Sequence, residues 1–196
     1  MLSPEKFALC QNFEITDKQL DFLRSAYNAF IHPTPEQLLE ICNRENPPLP
    51  ELQKSLKTYL KIYPDRKTGL NVFDRALLTQ CRETPLKSAR IVGGALVYGE
   101  YEDRFAIGDA YLFNRLVKLS QLHSQHPLIH LDGTVESNRN MLSTEVKITD
   151  LGKAVLAGDE NQIVLNGIEE QIGGVRLSSK DKTALWFYDN GNLVKG

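Results

Sequence analysis

The chain has 196 residues, 41% of them hydrophobic and 24% charged, the make-up of a globular protein with room for a core of ordinary size. A formal net charge of −2 excludes a uniformly basic, histone-like binder of nucleic acid. Cys10, Cys42 and Cys81 stand in no CxxC or zinc-type spacing, which argues against a disulfide framework and predicts three buried thiols in a reducing compartment.

The N-terminal part reads as helical. Met1–Cys10 holds no apolar run of signal-peptide length. Thr16 is placed to cap a helix whose Leu20, Leu23, Tyr27 and Phe30 recur at three- and four-residue steps. Thr34 and Pro35 form a second start signal, as cap and first helical residue, ahead of the apolar Leu38, Leu39, Ile41 and Cys42. The run Asn46–Pro50 ends that helix and opens another, which Pro64 closes. Leu52, Leu56, Tyr59 and Tyr63 lie along one of its faces, and Lys54, Lys57 and Lys61 along another. With Arg66 and Lys67 this lysine row is the most basic local patch. It would suit an acidic partner or a phosphate backbone, although such rows are more often solvated helix faces.

From Leu70 the character changes. Asn71 caps a helix through Arg75, Leu77, Leu78 and Cys81, and a second helix spans Ser88 to Tyr98. Gly93-Gly94 inside it marks a place where a neighbouring element can come close. Its run Ile91–Gly99 is the most apolar stretch and far too short to cross a bilayer, so no membrane partner is expected and the chain is assigned to the cytoplasm. A third helix runs from Asp109 to Ser124, with Leu112, Phe113, Leu116, Val117, Leu119 and Leu122 on its apolar face. A strand follows, then the polar loop Gly133–Thr144, a second strand, and a short helix opened by Thr149 and closed by Gly158. Helix, strand, loop, strand and short helix is the pattern of a winged-helix module. In the tail, Ile172–Leu177, Ala184–Asp189 and Asn192–Lys195 read as strands, with Asn190-Gly191 as a two-residue hairpin turn and Trp186 or Phe187 facing inward. The expected fold is therefore α+β and mainly α. It comprises a helical N-terminal segment (residues 1–68), a winged-helix-like module (69–158) and a C-terminal antiparallel β-meander packed on the rest (159–196).

If the third helix were a recognition helix, Asn114, Arg115, Lys118 and Gln121 would read base edges or grip phosphates, joined by Arg139 from the wing. Charge weighs against this. From Asn71 to Gly158 there are ten Lys or Arg and ten Asp or Glu, so the module lacks the basic footprint that phosphate binding needs. His123, His126 and His130, near Asp132, are the candidates for a metal site. Two of them fall at a helix end where a cation is favoured anyway, the third lies on a strand, and no HExxH pairing accompanies them. No GxSxG, GxxxxGK[ST] or GxGxxG is present, so neither catalysis nor a cofactor is expected. Gly167, Gly173 and Gly174 read as a turn and a strand start, and the adjacent Glu169 and Glu170 would point to opposite sides of a strand.

Ala26–Glu40, Leu49–Leu78 and, most specifically, ITDLGKAVLAGDENQIVLNGIEEQIGGVRL (Ile148–Leu177) resemble the C-terminal portion of an uncharacterised bacterial family of unknown function. The resemblance runs from about Thr16 onward. Longer members begin with a separate α/β domain, which implies that this chain is a shortened relative or works with a separately encoded partner. No catalytic residue is implied. The functional expectation is a non-catalytic protein-interaction module that meets a protein partner or a second copy of itself. The alternatives are a nucleic-acid-binding regulator and a metal-dependent enzyme using the histidines.

Overall fold

A computed structural model describes residues 14–98, 107–132, 142–181 and 185–196. The described residues open with α1 (Asp17–Ile31), α2 (Glu36–Asn43) and α3 (Pro50–Tyr59), the last running into a 3-10 turn at Leu60–Ile62. Thr16 and Gln19 exchange side-chain and backbone hydrogen bonds in a capping box at the start of α1. At α2 the cap position belongs to Pro35 rather than Thr34, and no side chain bonds to the helix end there.

The middle of the chain follows as α4 (Val72–Gln80), β1 (Leu86–Lys87), α5 (Ser88–Tyr98), α6 (Asp109–Leu119), β2 (Ile129–Asp132), β3 (Glu145–Ile148) and α7 (Asp150–Ala157). Asn71 caps α4, its Oδ1 accepting from the Asp74 amide at 2.9 Å, and Thr149 caps α7. The three strands form an antiparallel sheet in the order β1-β3-β2, with Leu131 opposite Val146. At two residues, β1 is too short to show strand alternation in sequence. Helix α6 stops at Leu119, short of the expected Ser124. The Ser120 hydroxyl donates to the Val117 carbonyl, the Leu128 amide donates to the Leu119 carbonyl, and Leu122 is left 52% exposed instead of joining the core. Residues 133–141 of the expected wing lie outside the described residues.

The tail holds α8 (Gln162–Asn166) and two separate hairpins, β4 (Glu169–Ile172) with β5 (Val175–Ser178), and β6 (Trp186–Asp189) with β7 (Asn192–Lys195). The stretch Ile172–Leu177 is not one strand, because Gly173 and Gly174 turn the chain between β4 and β5. Gly173 has φ +58°, and the Gly174 amide donates to the Phe30 carbonyl at 2.9 Å. A Cβ on Gly174 would overlap the Ile31 carbonyl, so the hairpin tip reaches α1 only as glycine. Asn190 and Gly191 have φ of +48° and +90°, as a two-residue primed turn requires.

Among the described residues, apolar burial gathers into two clusters. The first runs from Leu70 to Val155 and joins α4, α5, α6, α7 and the three-stranded sheet. The second brings Ala29, Leu38, Cys42, Leu60 and Tyr63 from the first helices against Ile172, Val175, Leu177, Trp186 and Leu193 from the hairpins. Helices α1 and α2 and the hairpins thus share one core, and Ile62 packs against both clusters. The fold is α+β and mainly α, with eight α-helices among the described residues. No helix among those residues is long and apolar enough to cross a membrane.

Candidate functional site

On α6, Leu112, Leu116 and Leu119 are fully buried, and Arg115 stands within the same helical stripe. Its side chain consequently turns inward and is 8% exposed. Nε and Nη2 donate to the two carboxylate oxygens of Asp74 at 2.8 and 2.5 Å, a bidentate pairing. Nη1 donates to Glu170 Oε1 at 2.5 Å, and Lys118 Nζ donates to that same oxygen at 2.9 Å. Asp74 comes from the first turn of α4 and Glu170 from β4, so one guanidinium fastens three elements. On the other side of β4, Glu169 pairs with Arg176 and accepts from the Ser178 hydroxyl, which is the divergence expected of adjacent strand residues.

The network sets its own protonation. Burial disfavours the charged form of Arg115, but the carboxylates of Asp74 and Glu170 outweigh it and hold the guanidinium charged. Burial likewise pushes the Glu170 carboxyl up, and Arg115 and Lys118 together overcome that and leave it below the ordinary carboxylate range. Burial raises Tyr111 in the same region.

These groups form the floor of an open cleft of about 600 Å³. Tyr111, packed edge-on against Phe73 with ring centroids 5.2 Å apart, lines it together with Ile62, Ile163 and Ile168, while His123 and Lys180 stand among its polar residues. Helix α8, also part of the lining, is stitched down at both ends. Asn161 Nδ2 donates to the carbonyls of Arg66 and Lys67 at 3.2 and 3.0 Å. Asn166 brackets the His126 backbone, accepting from its amide and donating to its carbonyl at 2.9 Å each.

The residues expected to read nucleic acid are dispersed by this arrangement. Arg115 is consumed inside. Gln121 is tied to β2, donating to the Leu131 carbonyl at 2.7 Å and accepting from the Leu131 amide at 3.0 Å. Asn114 and Lys118 remain exposed, and Arg139 lies outside the described residues. Lys54 and Lys57 are exposed on α3, and Lys61 is half-buried. The three histidines do not converge. His123 lines the cleft, His126 is clasped through its backbone, and His130 stands exposed on β2 opposite Lys147. Among the described residues, no three His, Cys, Asp or Glu side chains come together as a metal would require. Cys42 and Cys81 are buried free thiols, pushed by burial up to about 11 and about 12; Cys10 lies outside the described residues.

Asp74, Glu170 and Tyr111 did not stand out in the sequence as site residues. The available signal was the position of Arg115, three residues after Leu112 and four before Leu119, which puts a cation in an apolar stripe and demands a buried partner. No protein-family model and no curated protein sequence matches the chain.

Proposed function

We propose that the chain is a cytoplasmic, non-catalytic interaction module in which a winged-helix-like unit, α4 to α7 (residues 69–158), serves as a scaffold for contact with another protein or a second copy. The observation that carries this reading is Arg115. On a nucleic-acid reader the third helix must present its cations outward, whereas here the central one is neutralised by Asp74 and Glu170. The order β1-β3-β2 and the succession of helices before the strand pair support the winged-helix-like reading. Leu20, Tyr27 and Ile31, exposed along one face of α1, add apolar surface of the kind protein contacts cover.

Two measurements test this reading. Fluorescence anisotropy with a mixed-sequence duplex at low salt should show no binding that weakens steeply as salt rises. Light scattering over a range of concentrations should show association, weakened by Tyr27→Asp with Ile31→Asp. A strict monomer that binds duplex with a steep salt dependence would overturn the proposal in favour of the nucleic-acid alternative, for which the exposed Asn114 and Lys118 speak.

A further inference from the structure

We infer that the cleft is a binding site for a small organic monocarboxylate, whose carboxylate takes the place that Glu170 fills on Arg115 and Lys118. The inference is independent of whether the winged-helix-like unit contacts a protein.

The charge balance selects the ligand. Arg115 and Lys118 supply two positive charges and Asp74 one negative, leaving a single positive charge for Glu170 to neutralise. One carboxylate replaces Glu170 like for like on these two donors, with Glu170 turned towards solvent, whereas a phosphate dianion would bring a second negative charge up to the buried Asp74. The two carboxylates are held very differently. Asp74 is fixed from within the core by two bonds to Arg115, with a side chain 4% exposed. Glu170 sits at the cleft with a side chain 24% exposed and can turn to water when displaced. Arg115 Nη1 and Lys118 Nζ both donate to its Oε1. A free carboxylate, not tethered to β4, can offer one oxygen to each donor and make the stronger charge-assisted pairing.

The space matches a ligand larger than the carboxylate itself. About 600 Å³ lies within the range of small-molecule sites, which combine apolar walls with a few convergent polar groups. Tyr111, Ile62, Ile163 and Ile168 provide those walls, and α8 is anchored at both ends, so the walls stand before a ligand arrives and only Glu170 has to yield.

Calorimetry and thermal melts at constant ionic strength test the inference, with acetate and benzoate as probes and with benzamide, phosphate and chloride as controls. Benzoate should bind the wild-type chain, and benzamide should not. Glu170→Ala should bind benzoate about tenfold more tightly, the worth of a charge-assisted bond no longer contested from within. Its lowered melting point should recover with acetate but not with equal chloride. Glu170→Gln provides the same comparison if the alanine variant fails to fold, and it too should bind benzoate more tightly than wild type. Lys118→Met, at a side chain 44% exposed, should stay folded and lose about tenfold in benzoate affinity. Phosphate binding as tight as benzoate, or Glu170 variants that respond to acetate no differently from chloride, would overturn the inference.

Discussion

Removing Asp74 is the sharpest test of the charge network as a structural device. The side chains of Asp74 and Arg115 are 4% and 8% exposed, so Asp74→Leu strands a guanidinium that cannot reach water without moving α6. Only Glu170 would remain to neutralise it. Breaking a buried pair from one side costs about 3–5 kcal/mol, because the remaining charge stays desolvated. In a chain of this length, 1 kcal/mol moves the melting point by about 2–4 °C, so a fall of about 6–20 °C is expected. The double variant Asp74→Leu with Arg115→Met removes both charges, leaves Glu170 paired with Lys118, and should lie within about 1 kcal/mol of wild type. Urea unfolding of the four corners of this cycle, with an unchanged denaturant slope, measures the coupling directly. A single variant that loses less than about 1 kcal/mol would refute the reasoning. So would a double variant whose loss is the sum of the two singles.

Other outcomes follow from the same geometry. Because Glu170 is held below its ordinary range, its stabilising contribution is complete above the unfolded carboxylate value and is lost as pH falls through the lower folded value. Glu170→Gln should therefore flatten the acid limb of stability against pH, and an unchanged limb would contradict the assignment. Two helical glycines should respond to alanine with opposite signs. Gly93→Ala meets no atom within 4 Å and should stabilise by about 0.5–1 kcal/mol, whereas Gly152→Ala drives a Cβ into the Leu128 carbonyl and should destabilise by about 1–3 kcal/mol. Both are read by thermal melts. In a Cys10→Ser background, Cys42 and Cys81 should resist a thiol reagent at pH 8 until the chain unfolds, and rapid native labelling would show that burial is not what controls them.

What was legible in the sequence was what a single residue decides locally. Thr16, Asn71 and Thr149 each cap a helix with their own side chain, and Asn190-Gly191 selects its turn by backbone preference alone. The stretch Ile172–Leu177 is two strands because Ile172 is out of step with Val175 and Leu177: Gly173, at φ +58°, turns the chain, and Gly174 lies against the Ile31 carbonyl of α1, a contact far away in sequence. Helix α8 and strand β1, five and two residues long, are too short for any period to register. The floor of the cleft depends on pairings across 41 and 55 residues. Composition counts Asp74, Arg115 and Glu170 as charges, but nothing along the chain says that they meet. Arg115 itself was the one readable clue, a cation flanked at helical spacing by Leu112 and Leu119.

The core shared by the first helices and the last hairpins fixes an order of events during synthesis. The buried members of the first cluster all lie between Leu70 and Val155, with Ile62 and Leu165 packing on from outside, so most of that cluster can close while the remainder is still being made. Ala29, Leu38 and Tyr63 cannot, because their packing partners Leu177, Trp186 and Leu193 follow more than a hundred residues later in the chain. Throughout that interval α1 and α2 carry uncovered apolar faces, the period in which a growing chain is most exposed to misassociation. The β6–β7 hairpin is then less an appendage than the step that completes the second cluster. A chain cut short before Trp186 would lack Trp186 and Leu193 from the core on which α1 and α2 are seated.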